Sequence, residues 1–254
     1  MAFSLAQVKT TRRDVPPRIT LHGPRKIGKT TFGNCAPAPI FIPTEDGQDH
    51  VDAHAFPLCT SWSDVMSAIA SLYDEKHDFK TVVLDSADWA ERLLFQHVVA
   101  AAENPKIKNI EDFGYGKGYV FAAGHFVELL DGLNALRLER GMTTIVICHS
   151  EIKRFDDPLS NSYDRYQMKL HKQTGKLLEE WSDVIGFAQL EAFTRTETKN
   201  DFKKTERTLA TTSGRHVLHL APSPAFDAGN RYGMPEKIDL SWSAFADALT
   251  AARK

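Results

Sequence analysis

The sequence predicts an α/β fold: a mostly parallel central sheet flanked by helices, with an antiparallel extension near the C-terminus. Three observations carry this reading. Apolar runs without alternation, Ile40-Phe41-Ile42, Thr81 to Leu84 and Thr143 to Cys148, look like parallel strands covered on both faces, and helix-competent stretches separate them. Each run ends in polar residues, Thr44-Glu45, Asp85-Ser86 and His149-Ser150, where open parallel sheets carry their ligand sites. From Phe193 onward the pattern changes to short strands and turns, as an antiparallel extension requires.

Taken in order, residues 1–17, with Thr10-Thr11-Arg12-Arg13 and Pro16-Pro17, read as an extended N-terminal arm, 18–240 as the core and 241–254 as a C-terminal helix. The β-branched run Ile19 to Leu21 leads into a loop where Gly23, Gly28, Lys29 and Thr30 fill G-x-x-x-x-G-K-[ST], a P-loop. The spacing has a chemical cause: glycines let the backbone wrap a phosphate chain, so that successive N–H groups and the next helix N-terminus face anionic oxygens. Gly23, Pro24, Arg25, Lys26, Ile27, Gly28, Lys29, Thr30 and Thr31 are thus the expected nucleotide-binding segment. Lys29 is expected to reach the β- and γ-phosphates, and the Thr30 hydroxyl to hold Mg²⁺. The helix after the loop should be short, because Gly33 weakens it and Pro37 and Pro39 stop it.

Ile40 to Ile42 forms the second strand, and Ser61 N-caps a helix to about His77 with Val65, Ile69 and Leu72 on one face. Thr81 to Leu84 delivers Asp85, a Walker B carboxylate expected at the end of the strand beside the P-loop, where it holds Mg²⁺, usually through water. A helix from Trp89 to Glu103, a glycine- and charge-rich loop (104–118) and a second long helix to Arg140 follow, with Val127, Leu130 and Leu133 at core spacing and Gly141 as C-cap. After the strand ending at His149, the segment 151–175 is polar, basic and aromatic; a helix then runs to about Ser182 and a strand covers Val184 to Leu190. Thr194 to Thr198, a turn at Lys199-Asn200-Asp201, Thr205 to Thr212 and His216 to Leu220 make up the extension. Pro222 to Pro235 reads as a loop and Trp242 to Arg253 as a surface helix, and there is no internal repeat or low-complexity tract.

Composition bounds the function. At 254 residues, 42% hydrophobic and 25% charged, the chain is an ordinary globular protein, and no run approaches the ~18 consecutive apolar residues of a membrane span. Met1 to Arg13 lacks a signal-peptide pattern, so a cytoplasmic location is expected. Cys35, Cys59 and Cys148 are widely spaced and read as reduced, mostly packed thiols. A net charge of −2 argues against coating duplex DNA by bulk electrostatics, so any nucleic-acid site is a local patch.

Four groups of residues carry candidate chemistry. Glu45 is a candidate base or polariser for water attacking the γ-phosphate, with Asp46 as fallback and a solvated turn as the plain alternative. His149 either senses the γ-phosphate from its strand end or is a histidine satisfied by backbone groups. His216 and His219, three apart on a strand, point to opposite faces with no cysteine nearby, which removes a metal reading. Lys106, Lys108, Tyr115, Lys117 and Tyr119, then Lys153, Arg154, Phe155, Tyr163, Arg165, Tyr166, Lys169 and Lys172, interleave cations with aromatics, as contact with a single strand requires; the alternative is two solvated loops, and Asp156 and Asp157 weigh toward it.

This order of parts resembles the RecA/RadA-like ATPase core over about residues 18–240, most of all the phage-encoded ATP-binding proteins of which some are single-strand annealing recombinases. Three stretches carry the resemblance beyond the P-loop: Ile40 to Glu45, similar to the strand bearing the catalytic glutamate; Tyr163 to Leu170, similar to a stretch of the phage proteins; and Asn230-Arg231-Tyr232-Gly233, similar to a motif used across a subunit interface. The resemblance implies a RecA-like P-loop fold, Glu45 as the water-activating residue, His149 as the group coupling γ-phosphate to two DNA loops at 104–119 and 151–166, and Arg231 acting in trans. Gly229 stands where that motif has lysine, so the trans cation is Arg231 alone or absent. The function implied is an ATP·Mg²⁺-binding, hydrolysing protein of a bacterial or phage-infected cytoplasm, self-associating into rings or filaments, with single-stranded DNA as second ligand. The alternative is a nucleotide-switched assembly or replication-loader protein that does not touch DNA. A third, a small-molecule kinase, lacks an arginine-rich lid.

Overall fold

The computed structural model describes residues 4, 8, 14–47, 51–157, 161–199 and 205–253. Most of the expected N-terminal arm and the turn at 200–201 lie outside them. In chain order the elements are β1 (Arg18–Gly23), α1 (Lys29–Asn34), β2 (Pro39–Pro43), α2 (Trp62–Asp74), β3 (Thr81–Asp85), α3 (Ala87–Ala100), a 3-10 turn (Ile110–Phe113), α4 (Lys117–Glu139), β4 (Thr143–Phe155), β5 (Tyr163–Met168), α5 (Lys172–Trp181), β6 (Val184–Lys199), β7 (Thr205–His219), β8 (Gly229–Asn230), β9 (Lys237–Asp239) and α6 (Trp242–Ala252).

The sheet runs β2-β3-β4-β1-β6-β7-β9, with β2, β3, β4, β1 and β6 parallel and β7 and β9 antiparallel. The α/β class, the mostly parallel sheet and the antiparallel extension are as the sequence predicts. The neighbour of the P-loop strand differs: β4 lies between β1 and β3, so Asp85 ends the second strand over and Glu45 follows the third. Continuous apolar runs are equally compatible with either order, because burial on both faces says nothing about which strand lies beside which.

Period 2 divides each strand between two cores. Ile40, Ile42, Val82, Leu84, Val146 and Cys148 face α2 to α5, while Ile19, Leu21, Phe41, Val83, Ile145 and Ile147 face the side of α1 and α6. Side chains such as Phe41, Ile42 and Leu84 are at most 1% exposed, each worth about 1.5–3 kcal/mol of burial. α6 joins the second core through Phe245, packed edge-on against Phe32.

The helix bounds move for local reasons. Ser61 and Asp64 form the capping box of α2, which ends at Asp74; His77 Nε2 instead donates to the Leu72 carbonyl at 2.8 Å. α3 starts directly after Ser86, so Asp88 falls in its first turn. On α4 the buried face is Phe126, Leu129, Leu130, Leu133 and Leu136, and Val127, one position out of register, is exposed. Gly141, at φ +67, follows the C-cap as expected.

The larger departure is that β4 continues to Phe155 and pairs antiparallel with β5, Phe155 opposite Tyr163, where the sequence predicts a loop. Likewise β6 and β7 are two long strands with a bulge at Leu190/Ala192 instead of a series of short ones. Cys59 and Cys148 are buried, Cys35 exposed, and all are free thiols.

Beneath the P-loop, fully buried His22 on β1 donates from Nε2 to the Asp227 carbonyl (2.6 Å), and its Nδ1 accepts from Ser150 Oγ (2.9 Å). Burial pushes its pKa down to about 4. The unfolded value, about 6.5, is the higher, so the unfolded chain takes the proton first: this contribution to stability is intact above about pH 6.5 and is lost as pH falls toward 4. At pH 5 the loss is about 2 kcal/mol. Urea unfolding of His22→Gln should therefore show a shallower decline between pH 7 and pH 5 than wild type. Equal declines would clear His22 as the source.

Candidate nucleotide site

Strand, loop and helix build the site in that order. A Cβ on Gly23 would lie 2.3 Å from the Ala188 carbonyl oxygen of β6, so glycine alone lets the chain leave the sheet there. Gly28, at φ +107, turns it into α1. Lys29 Nζ donates to the carbonyls of Gly23 (2.9 Å) and Pro24 (2.8 Å), and His216 Nδ1 donates to the Ile27 carbonyl (2.7 Å), fixing the loop from both sides. Burial lowers the Lys29 pKa, and Asp85, foremost among nearby acids, opposes the shift.

Thr30 Oγ1 donates to Asp85 Oδ2 at 2.8 Å, across the width of β4. Thr44 clamps the ends of β2 and β3: its Oγ1 donates to the Ser86 carbonyl (2.7 Å) and accepts from Ser86 N–H (2.9 Å), and its own N–H donates to the Asp85 carbonyl (2.8 Å). Glu45, the next residue, emerges into the same cavity. Burial raises its pKa and His149 opposes the rise. His149 Nε2 lies 3.7 Å from Glu45 Oε1.

Gly28, Lys29, Thr30, Glu45, Asp85 and His149 line one cavity of about 670 Å³ with Arg25, Lys26, Thr31, Asp46, Gly47, Trp89 and Ile147. Its volume lies in the range of small-molecule and cofactor sites. The loop amides, the Lys29 ammonium and flanking Arg25 and Lys26 suit a polyphosphate, and the Thr30 hydroxyl with Asp85 supplies the hard oxygen donors that Mg²⁺ takes. Among the described residues no group of three or more His, Cys, Asp or Glu is placed to hold a metal ion.

Other sequence candidates separate. Lys106, Lys108 and Lys117 are exposed around the 3-10 turn, and the Tyr119 ring stacks on His171 (3.8 Å between centroids) at the base of the β4–β5 pair, so the two basic segments meet there. Within the β4–β5 pair, Arg154 is exposed, but Arg165 is ion-paired to Asp227 at 2.6 Å and lies over Phe155, Lys153 pairs with Glu151 at 2.9 Å, and Tyr166 packs against Phe187. Arg231 donates to Asp183 (3.3 Å) and to the Glu180 carbonyl (2.6 Å), beside the start of β1 and so at the far end of that strand from its own P-loop.

Asp88 and Trp89 escape the sequence reading. An acid in the first turn of a helix is a common dipole-matching residue, and only its position three after Asp85 hints at more.

Comparison with known proteins places these features in a family. A family model described as an AAA domain matches residues 15–232. A curated relative, the SPbeta prophage-derived uncharacterized protein YorG of Bacillus subtilis (strain 168), is 25% identical over 137 residues, 52% of this chain and 40% of that protein, so the chain spans well under two thirds of its length. Among solved structures, the crystal structure of the RadB recombinase aligns with a TM-score of 0.42 at 14% identity, covering 78% of this chain and 87% of that one. Because the family match takes in every element from β1 to β8, including the whole of the phosphate loop and its carboxylate partners, the chain belongs to the AAA-domain family.

Proposed function

We propose that this protein binds ATP with Mg²⁺, hydrolyses it by in-line attack of water on the γ-phosphate, self-associates, and uses single-stranded DNA as its second ligand in prophage-type recombination or annealing. The observation that carries the reading is the convergence of Lys29, Thr30, Asp85, Glu45 and His149 on one cavity. Lys29 neutralises charge on the β- and γ-phosphates. Thr30 and Asp85 would hold a magnesium ion, which would supply charge stabilisation at the phosphates. Glu45 orients the attacking water and accepts its proton, and its burial, which favours the neutral form, suits a group that must change protonation during the reaction. Arg231, whose side chain is 55% exposed and pairs with Asp183 in this chain, is the candidate cation for a neighbouring subunit's nucleotide once that pair opens. The prophage origin of the Bacillus subtilis relative supports the biological setting.

The second reading, a nucleotide-switched assembly or loader protein without DNA contact, draws on the β4–β5 pair: Arg165 and Lys153 are already ion-paired within the chain. Fluorescence anisotropy of a labelled single-stranded oligonucleotide discriminates the two. Direct contact predicts ATP-enhanced binding at low salt that weakens steeply as salt rises. Absence of binding at low salt, with and without ATP, assigns the loader reading.

A further inference from the structure

The Asp88 carboxylate, on the first turn of α3, is 4% exposed and has both oxygens close to His149. Asp88 Oδ1 accepts the His149 backbone N–H at 3.0 Å, and the His149 Nδ1 lies 3.2 Å from Oδ1 and 3.0 Å from Oδ2. The opposite ring nitrogen, Nε2, faces Glu45. β4 is pinned at the same point, since the His149 carbonyl accepts from Lys169 N–H at 2.8 Å and its residue pairs with Gly23 of the P-loop.

Burial acts to raise the Asp88 pKa, but the hydrogen bonds from the His149 ring and backbone prevail and hold it below the usual carboxylate range. An ionised carboxylate only accepts, so the nitrogen turned toward it carries the hydrogen. The reverse tautomer would set a lone pair of Nδ1 against the Asp88 carboxylate in a buried site, an unfavourable arrangement.

We propose that Asp88 is a positioning residue that fixes the Nδ1–H tautomer of His149 and thereby presents an unprotonated Nε2 to Glu45, making His149 the second proton acceptor of the site. The inference rests on the hydrolytic reading of Glu45. As the bond from water oxygen to the γ-phosphorus forms and the bridging P–O bond breaks, the proton of water passes to Glu45. It then moves to His149 Nε2, which regenerates the Glu45 carboxylate. Asp88 balances the imidazolium, and the proton returns to solvent through the open cavity. Neither oxidant nor reductant is involved.

Ring ¹⁵N shifts of His149 in histidine-labelled protein, taken at a pH where the ring is neutral, test the assignment directly. Wild type should show Nδ1–H with a bare Nε2. Asp88→Asn, whose amide can donate to Nδ1 while its oxygen keeps the backbone bond, should shift His149 to Nε2–H. It should also lower kcat by about tenfold or more at an ATP Kd unchanged within about twofold. In a His149→Gln background the same substitution should add little to the loss. An Nε2–H tautomer in wild type overturns the proposal without any need of the variant, as does an unchanged kcat in Asp88→Asn. Failure of the Glu45 reading is separate: it appears as normal turnover in Glu45→Gln while the His149 tautomer stays as assigned.

Discussion

Lys29→Ala is expected to abolish ATP binding, the largest single effect in this protein. The ammonium is buried, held by two loop carbonyls, and interacts electrostatically with Asp85 and Glu45. Removing it takes away the charge that offsets those acids and leaves a polyphosphate facing Glu45, Asp46 and Asp85. Loss of one member of a buried charge cluster costs about 3–5 kcal/mol, which corresponds to about two to three and a half orders of magnitude in Kd. Titration calorimetry with ATP and Mg²⁺ measures it, with circular dichroism to verify that the variant is folded. Wild-type affinity in a folded Lys29→Ala would remove nucleotide binding at this loop.

Glu45→Gln is the second large effect, and of a different kind: nucleotide affinity stays and turnover falls by about a hundredfold or more, the contribution of general-base help. Glutamine keeps the shape and a carbonyl oxygen toward His149 but cannot accept the proton of water. Phosphate release measured with and without single-stranded DNA, alongside ATP affinity, separates the two quantities. Turnover at the wild-type rate would move the role to Asp46, which lines the same cavity. Because burial raises the Glu45 pKa, its contribution is present at neutral pH and above and fades on acidification sooner than for an ordinary carboxylate.

These two residues differ in how they could be read. The P-loop is a local device: phosphate-facing amides, lysine and threonine all come from one strand–loop–helix segment, so spacing alone exposes it. Glu45 and His149 were visible because parallel strands deliver their last residues to one edge of a sheet, whichever strand lies next to which. Asp88 was hidden, since nothing along the chain says that a helix-start acid will meet a strand end 61 residues later. The internal pairing of a β5 cation was hidden for the same reason: Arg165 meets Asp227 62 residues on.

The sequence by itself determined the α/β class, the phosphate loop and the polar strand ends, because these follow from burial periodicity and from contiguous residues. Only the tertiary structure decided that β4 separates β1 from β3, that the extended β4 pairs antiparallel with β5, that Arg231 rests on Asp183 and that Asp88 grips His149. Those features depend on pairings between distant segments, and a distant pairing is settled by what remains to be buried or neutralised once the elements have packed, a quantity no local stretch of chain contains.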